Sequence, residues 1–335
     1  MSDPLPVLTD RRGRLGVVTL NRPGAINALT IDMVHIVTAA LEEWRDDPTI
    51  EGVAITGAGE RGLCAGGDIV VFHDDAVNGT DHSVRFWRDE YRLNALVADY
   101  PKPYLALMDG IVLGGGIGVS AHAEYRVVTE RSRVGMPEVG IGLIPDVGGT
   151  WLLSRAPGEL GTYAALTGKQ LGAGDAVALG LADVFVPSER LDDLLDRATE
   201  VGVHAAVAQL VEPAPASQLA ARRSQIDEQF GHDDVRDILA AVDDDLRAVI
   251  AAKSPTSLVL TLRALRTART LNSLEEALEM EFRLVTRLLR SHDLREGIRA
   301  QVIDKDRNPQ WSPSSVDDVD PGEIDRFFAP LDLDG

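Results

Sequence analysis

The chain has 335 residues, 44% of them hydrophobic, enough to bury a large core and more than most single domains use, so one main domain plus an appendage is expected. Its 53 acidic against 33 basic residues leave a net charge of −20, a field that opposes non-specific binding to nucleic acid or to anionic membranes. No apolar run reaches the length of a bilayer span, the start MSDPLPVLTD lacks the zones of a signal peptide, and the single cysteine, Cys64, has no partner for a disulfide; a soluble, cytoplasmic protein of a reducing compartment is expected.

Along the chain, short β-type runs are followed by glycine-containing turns and helical segments. LGVVTL (15–20) reads as the first strand, and TIDMVHIVTAALEEW as the first helix, with Thr30 as N-cap and Val34, Val37, Leu41 and Trp44 on one face. VAITG (53–57), YLALMDG (104–110), YRVVTE (125–130) and DVFVP (183–187) complete the strands, so strand and helix alternate as in α/β proteins, without a fixed-period repeat. Past residue 187 the strand signals stop. LDDLLDRATEVGVHAAVAQL reads as helix, VEPAPASQ as a joint, and two capped helices follow. One has Ser254 and Pro255 ahead of Leu258, Leu262 and Leu265; the other has the capping box Ser273/Glu276 ahead of Leu274, Leu278, Phe282, Val285 and Leu289. The acidic, proline-bearing end reads as a tail with one short helix docked through Phe327 and Phe328.

The chemistry concentrates between Met108 and Gly149. Gly114, Gly115 and Gly116 lack a Cβ, so their amides can approach a ligand, and a helix starting at this turn adds positive dipole, as an oxyanion hole requires. Glu138 and Asp146 each follow a proline, Pro137 and Pro145, which stiffens the loop that presents each carboxylate. Donors for an anionic oxygen beside two presented acids point to acyl chemistry on a carbonyl compound. Competing motifs are weaker. Gly116, Gly118 and Ala121 imitate a dinucleotide fingerprint, but the spacing to the acid Glu130 is too short. Gly118-Val-Ser120-Ala-His122 fails the nucleophile elbow at its last position, Cys64 lacks a nearby histidine, and the seven histidines show no metal-ligand spacing.

LNRPGAINALT (20–30), CAGGDI (64–69) and DGIVLGGGIG (109–118) resemble the crotonase, or enoyl-CoA hydratase/isomerase, superfamily. FWRDEYRLN (86–94), MPEVGIGLIPDVGG (136–149), SPTSLVLTLR (254–263), MEFRL (280–284) and HDLREGIRAQVIDKDRNPQW (292–311) are similar to its 3-hydroxyisobutyryl-CoA hydrolase branch, which acts in valine degradation. The resemblance spans nearly the whole chain and is weakest over 190–250. It implies an α/β fold, a crotonase-like spiral of repeated β-β-α units over 1–190 carrying the CoA and catalytic site, followed by a mainly helical region and acidic tail over 191–335.

The resemblance also assigns roles. The amides of Gly67 and Gly115 match the two donors to the thioester oxygen, with Asp68 and Gly114 beside them as substrate-binding positions. Glu138 matches the catalytic glutamate, acting either as general base or as a nucleophile that forms a mixed anhydride, and apolar Val139, Ile141, Leu143 and Ile144 around it favour a raised pKa. Asp146 matches the aspartate that orients the substrate hydroxyl or the water. Glu90 matches a glutamate bordering the pocket; read from the residues alone it is equally a surface acid pairing with Arg88 or Arg92. Arg22 and Arg61 are candidates for the CoA phosphates, against a reading as solvated surface residues. Hydratases of this superfamily carry their first glutamate where this chain has Gly118, so hydrolysis, or isomerisation by a single base, suits the residues better than hydration. The expectation is an acyl-CoA thioester hydrolase with no cofactor beyond the CoA of its substrate, no metal, and a trimeric or hexameric assembly. The alternatives are an enoyl-CoA isomerase or atypical hydratase and, in another class, an inert CoA-binding protein.

Overall fold

A computed structural model describes residues 5–331. They divide into two compact units, the first drawn from residues 5–67, 89–135 and 170–220, the second from 68–88, 136–169 and 221–331.

The first unit holds the strands β1 (Val7–Arg12), β2 (Leu15–Leu20), β3 (Gly52–Gly57), β4 (Tyr104–Met108), β5 (Ile111–Leu113), β6 (Tyr125–Val128), β7 (Arg133–Gly135) and β8 (Val184–Phe185). Six form one sheet in the order β1-β2-β3-β4-β6-β8, and β5 and β7 form a two-stranded sheet. β1 and β2 are antiparallel; the other pairs are parallel, with Leu20 opposite Gly57 and Leu105 opposite Tyr125. All five residues of β4 are buried, the continuous apolar run expected of a strand covered on both faces. The five runs read as strands from sequence lie at β2, β3, β4, β6 and β8.

Helix Ile31–Arg45 begins where the cap was expected: Thr30 Oγ1 accepts from the Met33 amide, and Val34, Val37, Leu41 and Trp44 are buried. Gly16 of β2 lies under that helix, since a Cβ there would stand 2.4 Å from the Trp44 ring. The segment expected as one helix after residue 190 is two, Leu191–Val201 and Val203–Leu210, broken at Gly202 with φ 84° and ψ 159°. That left-handed angle is reserved for glycine, and it turns Leu194, Leu195 and Ala198 on one side and Val203, Ala206 and Val207 on the other onto one sheet core with Leu15, Val17, Leu105, Leu107 and Val127.

The second unit is helical among its described residues. Helix Pro255–Ala268 is capped by Ser254, whose hydroxyl accepts from the Ser257 amide, and buries Leu258, Leu262 and Leu265. Helix Leu274–Leu288 is capped by Ser273, which accepts from the Glu276 amide at 3.3 Å, while Glu276 accepts from the Asn272 amide at 2.8 Å, one residue earlier than the usual box. The tail forms helix Pro321–Phe328, anchored by buried Ile324 and Phe327, with the Arg263 guanidinium stacked 4.3 Å from the Phe328 ring centre.

Candidate active site

In the first unit, two glycine turns come together. Gly66, with φ +110°, and Gly114, with φ +49° and ψ −118°, hold angles that side chains resist, so the chain can fold back tightly at each. Gly67 bridges Leu29, and a Cβ on Gly115 would stand 3.3 Å from the Gly67 amide nitrogen. The two amides expected as donors are therefore neighbours. That same Cβ would lie 2.5 Å from Glu90 Oε1 and 3.1 Å from Leu29, so glycine at 115 is a requirement of close approach. The helix that follows is one turn, Gly115–Gly118, with buried residues throughout. The helix expected to start at this turn is therefore present but only one turn long, and a single turn carries little macrodipole.

Glu90 lies in helix His82–Ala98 and is only 2% exposed, which excludes the surface-acid reading. The surface pairing belongs to its neighbour: Asp89 holds His35 at 2.8 Å and Arg92 at 3.4 Å. Arg22 Nη1 donates to the Ala28 carbonyl at 2.6 Å, and exposed Arg61 donates to the Gly24 carbonyl at 3.4 Å, so both guanidiniums fold onto the turn of the first motif. Asp68 belongs to the second unit and occupies the N-cap position of helix Ile69–Asn78.

Cys64 is fully buried, and burial pushes its thiol up to about 12. A thiol-reactive disulfide at mildly alkaline pH is expected to leave the native chain unlabelled and to label its one cysteine only after unfolding. Rapid labelling of the native chain would contradict this burial.

In the second unit, Glu138 opens a 3-10 turn, Glu138–Gly140, and is 6% exposed. Its Oε2 has no hydrogen-bond partner among the described residues. Burial raises its carboxyl well above the ordinary carboxylate range, and the negative charges of Asp146 and then Glu281 push the same way. Val139, Leu143 and Ile144 around it are buried as expected, with Ile141 half-buried. Its own backbone N–H is the one hydrogen bond that lowers it, too little to offset burial, and a buried acid so raised suits a base or nucleophile.

The loop behind Glu138 is braced by the C-terminal motifs. Gly142 would place a Cβ 2.3 Å from the Asp293 backbone and Gly297 would place one 2.5 Å from Ile141, so two glycines let helix His292–Ile298 lie directly on the loop. Buried Asp293 accepts from the Ser254 hydroxyl at 2.6 Å and the Ser312 amide at 2.8 Å, and the Ser254 amide donates to Val139 O at 3.1 Å. Asp146 is also 6% exposed. The next residue, Val147, has φ +53°, a conformation a β-branched residue adopts at a cost of roughly 1 to 3 kcal/mol.

Glu281, which sequence patterning does not single out, is 0% exposed. Its carboxylate accepts from the Gly148 amide at 2.7 Å, the Thr150 amide at 2.9 Å and the Thr150 hydroxyl at 2.5 Å. Position 281 falls on the buried stripe of Leu274, Ala277, Leu278, Val285 and Leu288, where a leucine is the ordinary occupant, a signal that becomes readable once the stripe is known to be buried.

The protein-family model for enoyl-CoA hydratase/isomerase matches residues 15–328. The chain belongs to that family. It is 40% identical to the 3-hydroxyisobutyryl-CoA hydrolase, mitochondrial, of Danio rerio, over 97% of this chain and 90% of that protein. It is 37% identical to the protein of the same name from Homo sapiens, over 97% and 89%. Among solved structures it is similar to a carnitinyl-CoA dehydratase from Mycobacterium thermoresistibile, with a TM-score of 0.95, 47% identity and 98% of each chain covered. It is likewise similar to an enoyl-CoA hydratase from Rhodobacter sphaeroides, with a TM-score of 0.91, 41% identity, and 97% and 98% covered. The fold is therefore the crotonase fold, an α/β architecture with a mainly helical C-terminal part.

Proposed function

We propose that this chain hydrolyses the thioester of a short 3-hydroxyacyl-CoA, 3-hydroxyisobutyryl-CoA above all, to the hydroxy acid and free CoA, a step of valine degradation. The observation that carries the reading is Glu138: a buried acid with an unpartnered oxygen and a raised pKa, in a chain about 40% identical over its length to proteins named for this reaction.

In this reading the Gly67 and Gly115 amides receive the acyl oxygen. Water, relieved of a proton by the Glu138 carboxylate, adds to the carbonyl carbon, and the electron pair of the C=O bond moves onto the oxygen held by the amides. The tetrahedral adduct collapses, the carbon–sulphur bond breaks, and the proton on Glu138 passes to the departing thiolate. A variant of the same chemistry has Glu138 attack first, giving an anhydride that water opens. Asp146 positions the water or the 3-hydroxyl, Asp68, Gly114 and Glu90 border the acyl group, and Arg22 and Arg61 take the CoA phosphates.

Glu138 must be ionised to act, so the rate falls as pH drops through its raised pKa, and the acid limb of the kcat profile lies above the usual carboxylate range. Asp146→Asn removes a negative charge that raises this pKa. The limb is then expected to move to lower pH while the plateau falls; a limb that stays in place would contradict the assigned coupling.

The second reading is hydration or dehydration, favoured by the descriptions of the two solved structures at 47% and 41% identity. Gly118 stands against it, because two-carboxylate water addition needs an acid where this chain has none. The two readings separate in one cuvette. With 3-hydroxyisobutyryl-CoA and a thiol trap, hydrolysis releases thiol stoichiometrically. With crotonyl-CoA, hydration removes the enoyl absorbance without releasing thiol. Crotonyl-CoA turnover without thiol release from 3-hydroxyisobutyryl-CoA would replace the proposal, and tight CoA binding with neither signal would favour an inert binder.

A further inference from the structure

We infer that Glu281 is a positioning residue for the hydrolysis: its carboxylate clamps the strained turn after Asp146 through the Gly148 amide, the Thr150 amide and the Thr150 hydroxyl, and so fixes where Asp146 is presented. The inference rests on the role proposed for Asp146.

The turn needs an external clamp. Val147 has φ +53° and Gly148 φ +78°, two consecutive residues in the left-handed region, the first of them β-branched. Such a conformation persists only where the surroundings over-determine it. Within the turn itself the amide of Gly149 returns to the Asp146 carbonyl at 2.6 Å, which closes the loop but leaves the amides of Gly148 and Thr150 pointing away from it. Helix Gly149–Ser154 starts at this point, with Gly148 as its N-cap and Thr150 in its first turn; both residues are buried, and neither amide has a carbonyl of that helix to reach. Glu281 reaches across from helix Leu274–Leu288 and takes both, one on each oxygen.

A purely structural role is a poor account of the choice of glutamate. Position 281 lies on a leucine-type stripe, and a buried acid costs stability where an apolar side chain would add it. Burial raises the Glu281 carboxyl to about 8, against the lowering effect of its hydrogen bonds to Thr150 and Gly148, so the acid is kept at a cost. What the carboxylate supplies that leucine cannot is a two-oxygen grip on the backbone that follows Asp146.

The test compares wild type, Glu281→Gln and Thr150→Val in free-thiol release and in amide hydrogen exchange at Gly148 and Thr150. Glutamine keeps the length but presents an amide nitrogen to one of the two donors, so one grip is lost. A misplacement of the order of 1 Å at a reacting group costs about 10²-fold, and Glu281→Gln is expected to lower kcat by about that factor while KM stays within about twofold. Thr150→Val removes only the hydroxyl and is expected to lower kcat by a few-fold, which covers the case in which the glutamine variant does not fold. Exchange at Gly148 and Thr150 is expected to accelerate in Glu281→Gln while exchange in helix Ile31–Arg45 is unchanged. An active wild type with both variants at wild-type kcat, or with KM rising instead of kcat falling, would overturn the positioning role and leave the hydrolase reading standing. A wild type that releases no thiol would remove the hydrolase reading; the exchange measurement then decides the clamp alone, faster exchange upholding it and unchanged exchange ending it.

Discussion

Glu138→Gln is expected to lower thiol release by about 10²- to 10⁴-fold, the range general-base catalysis supplies, and at the same time to make the chain more stable at alkaline pH. Both follow from one fact, the burial of an acid whose Oε2 has no partner among the described residues. The folded-state pKa lies above the unfolded one. The contribution of the protonated form is therefore complete below the unfolded pKa and is lost as pH rises through the folded pKa, where the wild type must carry a buried charge. Glutamine keeps the shape without the charge, so its advantage in melting temperature should be near zero around pH 4 and should open towards pH 8. Equal melting curves at both pH values would show that Glu138 is not desolvated, and retained activity that it is not catalytic.

Gly115→Ala is expected to cost about 10²- to 10³-fold in kcat, the loss of about 2.7 to 4 kcal/mol associated with one oxyanion donor. The added methyl would stand 3.3 Å from the Gly67 nitrogen, in the space a thioester oxygen needs to reach the amides. The fold should tolerate it, because the atom met at 2.5 Å is the flexible end of Glu90 rather than backbone. The contrast is Gly161→Ala, whose Cβ would meet the Leu153 carbonyl oxygen at 1.8 Å and which should fail by unfolding. Circular dichroism separates the two. A folded Gly115→Ala with kcat within about threefold of wild type would remove Gly115 from the oxyanion hole.

What the residues alone revealed follows from how each signal arises. β2, β3 and β4 are apolar runs covered by other elements, and such runs are plain in the letters. β1 was missed because VLTDRR buries only Val7, and β5 and β7 because three residues carry no period. The break at Gly202 was hidden because a glycine inside a helical pattern reads as tolerated until its φ is known. Glu138 and Asp146 stand out in the letters because each follows a proline, and the roles expected of them come from the resemblance. Glu281 does not stand out, since its meaning is tertiary: an acid on an apolar stripe signals something only when the stripe is known to be buried. Glu90 was named from the resemblance, but only the fold separates it from a surface acid, since it shares its helix's buried side with Trp87, Asn94 and Val97. The family motifs after residue 250 resembled one subfamily without saying why; Gly297, Asp293 and Ser254 show them to be the bracing of the Glu138 loop.

The most direct test of thioester hydrolysis is turnover of 3-hydroxyisobutyryl-CoA in ¹⁸O-water, with the products read by mass spectrometry. The account predicts free CoA together with an acid labelled in its carboxyl group, and loss of both in Glu138→Gln. Label entering the 3-hydroxyl of an intact thioester, with the carboxyl oxygen unlabelled, would contradict it.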